Sequence, residues 1–196
     1  MPYTVLMPVF VKDILKGEPR TLGFLMAFSG IGALAAALSL AARKNAAGLE
    51  KRIPLAACVF GLGVIALSFS RSSTVSAACI AVAGFGMITQ MASSNTVIQT
   101  VVDDDKRGRV MAFYAMAFMG MAPFGSLLAG WTASKVGAPE AIRLSGVMAI
   151  LGALAFFSRL GEIKKNVRPV YARLGIIPQV ASGIETASEL TVPPED

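Results

Sequence analysis

Val101–Trp131 reads VVDDDKRGRVMAFYAMAFMGMAPFGSLLAGW. A short charged segment, Asp103 to Arg109, separates two long stretches without Asp, Glu, Lys or Arg: Ser72 to Val102 and Val110 to Ser134. A bilayer core about 30 Å thick takes about 20 apolar residues at about 1.5 Å each. Both stretches meet that length. The charged segment is therefore expected to be a tight turn at a membrane surface, with the chain entering lipid on either side of it.

The composition agrees. The 196 residues are 55% hydrophobic and only 15% charged, with a net charge of +6, and the mean hydropathy is +0.65. Soluble domains carry about 25% charged residues, so the charges here must be gathered between apolar segments. A basic excess in a soluble protein suggests nucleic acid. Here the basic residues fall in loops without interleaved aromatics, so no nucleic-acid partner is expected and the excess reads as the positive-inside bias of membrane topology. There is no histidine, which removes His triads and His metal sites. Cys58 and Cys79 lie inside spans without metal spacing and read as small packing residues. No metal, cofactor or catalytic residue is expected, and the chain is not read as an enzyme. No secretory leader is expected from residues 1–15, which lack a basic start and a cleavage site.

Taken in order, residues 1–15 are apolar but too short to cross and carry Pro8. They read as the outer part of a helix whose beginning is missing. KGEPR, Lys16 to Arg20, is a loop. Spans follow over 21–42, 53–70, 75–100, 110–133 and 141–161. Arg43 to Arg52 and Arg71 to Thr74 are read as loops, and KVGAPE, Lys135 to Glu140, as a turn. Pro54 is expected in the first turn of its helix, and Arg143 and Arg159 snorkel near span ends. Residues 162–196 are polar and end in TVPPED, which reads as a cytoplasmic, disordered tail. Alternating crossings place twice as many Lys and Arg on the side of Lys106 and the C-terminus as on the other, which puts that side in the cytoplasm. All twelve acidic residues lie in loops, tail or helix ends, so a proton-coupling carboxylate inside the membrane is not expected in this chain.

The fourth span carries an unusual load of polar side chains. At about 100° per residue, Thr89, Ser93, Thr96 and Thr100 share a stripe, with Asn95 and Gln99 on one flank and Gln90 on the other. Polar groups in hydrocarbon are costly unless they meet protein or water. The stripe either lines a water-filled pathway or forms hydrogen bonds between packed helices. The number of amides and hydroxyls favours the pathway, with Thr89, Ser93, Asn95, Thr96 and Gln99 lining it and Asn95 and Gln99 touching substrate or water. Elsewhere, small residues predict close helix approach: Gly32 and Ala36 in the second span, and Gly120, Pro123, Gly125 and Gly130 in the fifth. Gly108 is expected to permit a tight backbone before the fifth span.

RGRVMAFYAMAFMGMAPFGSLLAGW resembles the loop and following helix in the C-terminal half of major facilitator superfamily transporters, in the branch of bacterial permeases that includes the enterobactin exporter. MPVFVKDIL and GFLMAFSGIGALAAAL resemble the opening of the same half, and the likeness extends to about Gly161. The resemblance implies an all-α membrane protein, a six-helix half-bundle over residues 1–161 made of two inverted three-helix repeats. It implies export of an unidentified small organic molecule across the cell (inner) membrane by alternating access, with the first and fourth spans lining the cavity. It also implies a cytoplasmic latch at Arg107, Gly108 and Arg109. A full transporter of this kind has twice as many spans. The expectation is thus a fragment completed by its N-terminal half, or a chain paired with a second six-helix chain. The alternative is a membrane module that assembles with such a partner but transports nothing.

Overall fold

The computed structural model describes residues 2–43 and 48–175. Among them lie seven helices and no strand: α1 (Pro2–Asp13), α2 (Pro19–Ala41), α3 (Leu49–Phe69), α4 (Ser73–Val101), α5 (Asp104–Val136), α6 (Ala138–Ser158) and α7 (Leu160–Arg173). The five helices α2 to α6 are long and apolar enough to cross a membrane. α1 is not: its 12 residues rise only about 18 Å.

The helices run further into the charged segments than hydropathy suggests. α3 begins at Leu49, so Glu50, Lys51 and Arg52 belong to its first turn and not to a loop, and Pro54 sits inside the helix rather than in its first turn. Asp103 to Arg109 is not a tight turn. Only Val102 and Asp103 are non-helical, and Asp104 and Asp105 occupy the first turn of α5, where their charge is favourable to the helix dipole. Gly108 accordingly lies in regular helix with open space around it. KVGAPE is also mostly helical. The chain breaks at Gly137 alone, whose φ of 93° suits glycine and no L side chain. The segment read as a disordered tail from residue 162 begins instead with α7. Its later part, 176–196, and the loop residues 44–47 lie outside the described residues.

Apolar helices gain little from leaving lipid for one another, so close backbone approach carries their association. α4 packs against α2 on one side and α3 on another, and α3 also packs against α6. Each crossing is made by glycines. A Cβ on Gly32 would collide with the Ala81 carbonyl, and one on Gly84 with the Ser29 carbonyl. Between α3 and α4, a Cβ on Gly63 would stand 2.9 Å from the Ala83 nitrogen, and one on Gly86 2.7 Å from the Ala56 carbonyl oxygen. Between α3 and α6, Gly61 and Gly146 face each other's carbonyls at 2.7 and 2.8 Å by the same measure.

α1 buries Tyr3, Leu6, Met7, Phe10 and Val11 in one cluster with Leu25, Leu67, Ala77 and Ile142. It therefore plugs the end of the bundle where α3 stops and α4 and α6 start. Polar fasteners close that end. Ser76 Oγ donates to Ser70 Oγ at 2.9 Å. Arg143 stacks over the Phe69 ring at 4.4 Å and pairs with Glu140 at 3.5 Å, the position near a span end that its long side chain favours.

Candidate functional site

α4 is held on two sides, so the orientation of its polar residues is set by its neighbours. Thr89 and Ser93 are buried. They share a face with Gly86, which meets Ala56 and Phe60 of α3, and with Val97, which packs on Leu49 and Ile53. The two hydroxyls thus sit in the α3–α4 seam, and neither has a protein hydrogen-bond partner. An unpartnered buried hydroxyl costs about 1–3 kcal/mol, so packing alone does not account for them.

The rest of the stripe is more open. Thr96 is exposed and donates to the Ala92 carbonyl at 2.9 Å, and Thr100 donates to the Thr96 carbonyl at 2.7 Å. Both bonds are local, leaving each hydroxyl oxygen able to accept another. Asn95 is half-buried with its Oδ1 sealed and lacking a protein partner, and Gln99 is exposed. Both continue the side of α4 that carries Ala81 and Gly84 towards α2. Sequence reasoning left Gln90 aside, yet it lines a cavity of about 260 Å³ between α3, α4 and α6, otherwise walled by Ile53, Ala57, Phe60, Ala149 and Phe156 among others. A second cavity of about 440 Å³ lies across Phe60 and Ala149, bounded by Tyr3, Leu128, Thr132 and Met148.

At the other end of α4, Arg107 ties the two neighbouring helices together. Its Nε donates to the Gln99 carbonyl at 3.1 Å, capping one of the last carbonyls of α4, while its Nη2 pairs with Asp104. Lys106 pairs with Asp103 at 3.6 Å. Arg109 is exposed and does not join Arg107 in this contact.

The small residues singled out in the sequence divide sharply. Gly32 and Ala36 are buried, Gly32 against α4. Gly120 and Gly130 have no neighbour within 4 Å of an added Cβ, and Pro123 is exposed. Gly125 lines the larger cavity. Along α5 only Ala129 is buried, while Phe113, Met119, Phe124, Leu127 and Trp131 are all largely exposed.

A family model described as "Transmembrane secretion effector" matches residues 2–182. The Staphyloferrin A transporter of Staphylococcus aureus (strain NCTC 8325 / PS 47) is 26% identical over 155 residues, covering 79% of this chain and 38% of that protein. The multidrug efflux pump Tap of Mycolicibacterium fortuitum is 27% identical over 168 residues, covering 85% of this chain and 41% of that protein. The chain thus spans about two fifths of the length of the curated relatives it matches. No solved structure gives a significant match.

Proposed function

The chain belongs to the transmembrane secretion effector family of the major facilitator superfamily, multi-pass membrane transporters rather than enzymes, and from that premise we propose that it forms one six-helix half of an exporter. In this reading a second half, the N-terminal one or another six-helix chain, completes the protein, which works by alternating access. The cargo is a small organic molecule, in keeping with one relative named for staphyloferrin A transport and another for multidrug efflux. The bundle sits in the cell inner membrane with its C-terminus in the cytoplasm, the side richer in Lys and Arg.

The observation that carries the reading is the polar face of α4. Thr96 and Gln99 present acceptors and donors to a side of the helix that this chain leaves partly open, and beside them the Asn95 Oδ1 is sealed without a protein partner. Lipid there would be costly, whereas water or an organic solute would satisfy them. Thr89 and Ser93 meet the pathway only when the α3–α4 seam loosens, which suits a seam that shifts between two states. The test is efflux of a fluorescent organic dye from cells producing this chain with its completing half. Asn95→Leu combined with Gln99→Leu is expected to lower the efflux rate at least tenfold at unchanged membrane abundance. Undiminished efflux would overturn the assignment of this face.

A further inference from the structure

Helix α7 meets α4 at its last turn, where Val170 and Arg173 line a pocket with Thr100 and Arg107. Its Leu160, Val167 and Tyr171 are buried and share one side at about 100° per residue. The helix packs against α3, α4 and α6. The rest of the helix is basic: Lys164, Lys165, Arg168 and Arg173 stand against the single acid Glu162, which is already paired with Arg159 at 3.3 Å.

The basic side does not end with α7. α3 packs on α7 and carries Glu50 and Lys51 in its first turn, which brings Lys51 within electrostatic reach of Lys164. Desolvation first, and then the Lys51 charge, hold the Lys164 pKa below its ordinary value, with the Glu50 carboxylate offsetting only part of this. Glu50 is itself buried and its Oε2 has no protein partner. It lies on the Tyr171 side, where desolvation and then its charge push the phenol pKa up. Two ammonium groups within that reach repel. An anion between them would reverse the sign of that interaction and raise Lys164 again. The exposed neighbours Lys165 and Arg168 would add to the attraction.

α7 follows α6 after a single residue, Arg159, so it lies at headgroup depth. A basic amphipathic helix at that depth meets lipid phosphates, which take charge-assisted hydrogen bonds from Lys and Arg. We propose that Lys51, Lys164, Lys165 and Arg168 form a binding site for the phosphate of an anionic lipid headgroup, at the surface where α3 begins and α6 ends.

The test uses the full chain purified in neutral detergent, which requires neither transport nor sidedness and so stands apart from the export reading. Phosphatidylglycerol, phosphatidylcholine and inorganic phosphate are titrated separately, and binding is followed by the rise in melting temperature. Phosphatidylglycerol is expected to raise it and the other two are not. Lys51→Gln with Lys164→Gln should weaken the apparent affinity about 25-fold, about fivefold per charge, while melting without lipid stays equal or rises as the repulsion is relieved. Lys165→Gln with Arg168→Gln, on the exposed side where folding is not at stake, should weaken it comparably. Equal responses to the two lipids, wild-type affinity in the second variant, or the same rise from inorganic phosphate would overturn the site.

Discussion

α4 and α5 are consecutive in the chain, separated by Val102 and Asp103, and both qualify as spans. Their surroundings are opposite. In α4, 39% of the most apolar stretch is buried; in α5, none is. Yet α4 carries the amides and hydroxyls, and α5 is apolar almost all round. The helix with the polar load is the one packed against two neighbours, with Thr89 and Ser93 enclosed and Thr96 and Gln99 still exposed, and the helix with the open surface is the one lipid or another apolar surface can cover at little cost. In a membrane, a side chain's tolerance depends on what touches it, and mean hydropathy does not record that.

The comparison breaks most visibly at glycine. Gly32→Leu places a side chain where the Ala81 carbonyl already is, and no flexible group can give way. The α2–α4 seam should open at a cost of at least about 3 kcal/mol, the upper range for overpacking, seen as loss of folded protein in detergent. Gly130→Leu on α5 meets nothing and should change stability by no more than about 0.5 kcal/mol, with a small gain in helix propensity. If the two substitutions cost the same, the contrast between the helices is not one of packing.

A subtler test is within α4 itself. Ser93 is fully buried with an unpartnered hydroxyl, so Ser93→Ala removes a desolvated polar group and should leave stability unchanged or raise it by about 1 kcal/mol. The same change in a hydroxyl with an interhelical partner would cost about that much. Chemical unfolding in detergent distinguishes the two signs. A loss would mean that the hydroxyl is satisfied in the folded protein and that the seam is ordinary packing.

Much of the fold is legible because lipid imposes length and apolarity on every crossing: α2 and α4 begin and end, and α6 ends, within a few residues of where their uncharged runs do. The starts of α3 and α5 are not legible that way. Glu50, Asp104 and Asp105 look like loop residues to hydropathy, but acids in a first turn favour a helix. α7 escapes for a related reason: its Leu160, Val167 and Tyr171 are too few for an apolar run and only their helical spacing joins them. The site is harder still. The glycines of α5 look as much like packing positions as Gly32 does, while Gly61, Gly84, Gly86 and Gly146, which make the crossings, carry no special pattern. A glycine's sequence neighbours do not say which way it faces. The same holds for Thr89 and Ser93, whose enclosure depends on how α4 is rotated against α3.

The smallest effect expected is at the junction of the two contrasted helices. Arg107, on α5, bridges them through the Gln99 carbonyl at 3.1 Å, while its pair with Asp104 stays within α5. The guanidinium is substantially exposed, so water competes and the ion pair is worth little. Arg107→Gln should therefore cost no more than about 0.5 kcal/mol globally. Its effect is local: the last turn of α4 loses a cap, and α5, which packs on α1 and α6, loses one of its few ties to α4. Hydrogen exchange should quicken in residues 104–108 and near Gln99 while the α2–α4 seam stays protected. Quickening that spread to the Gly32 and Gly84 region would mean that α5 is coupled through α4 to the α2–α4 seam, and the division between α4, packed on α2 and α3, and α5, packed on α1 and α6, would fail.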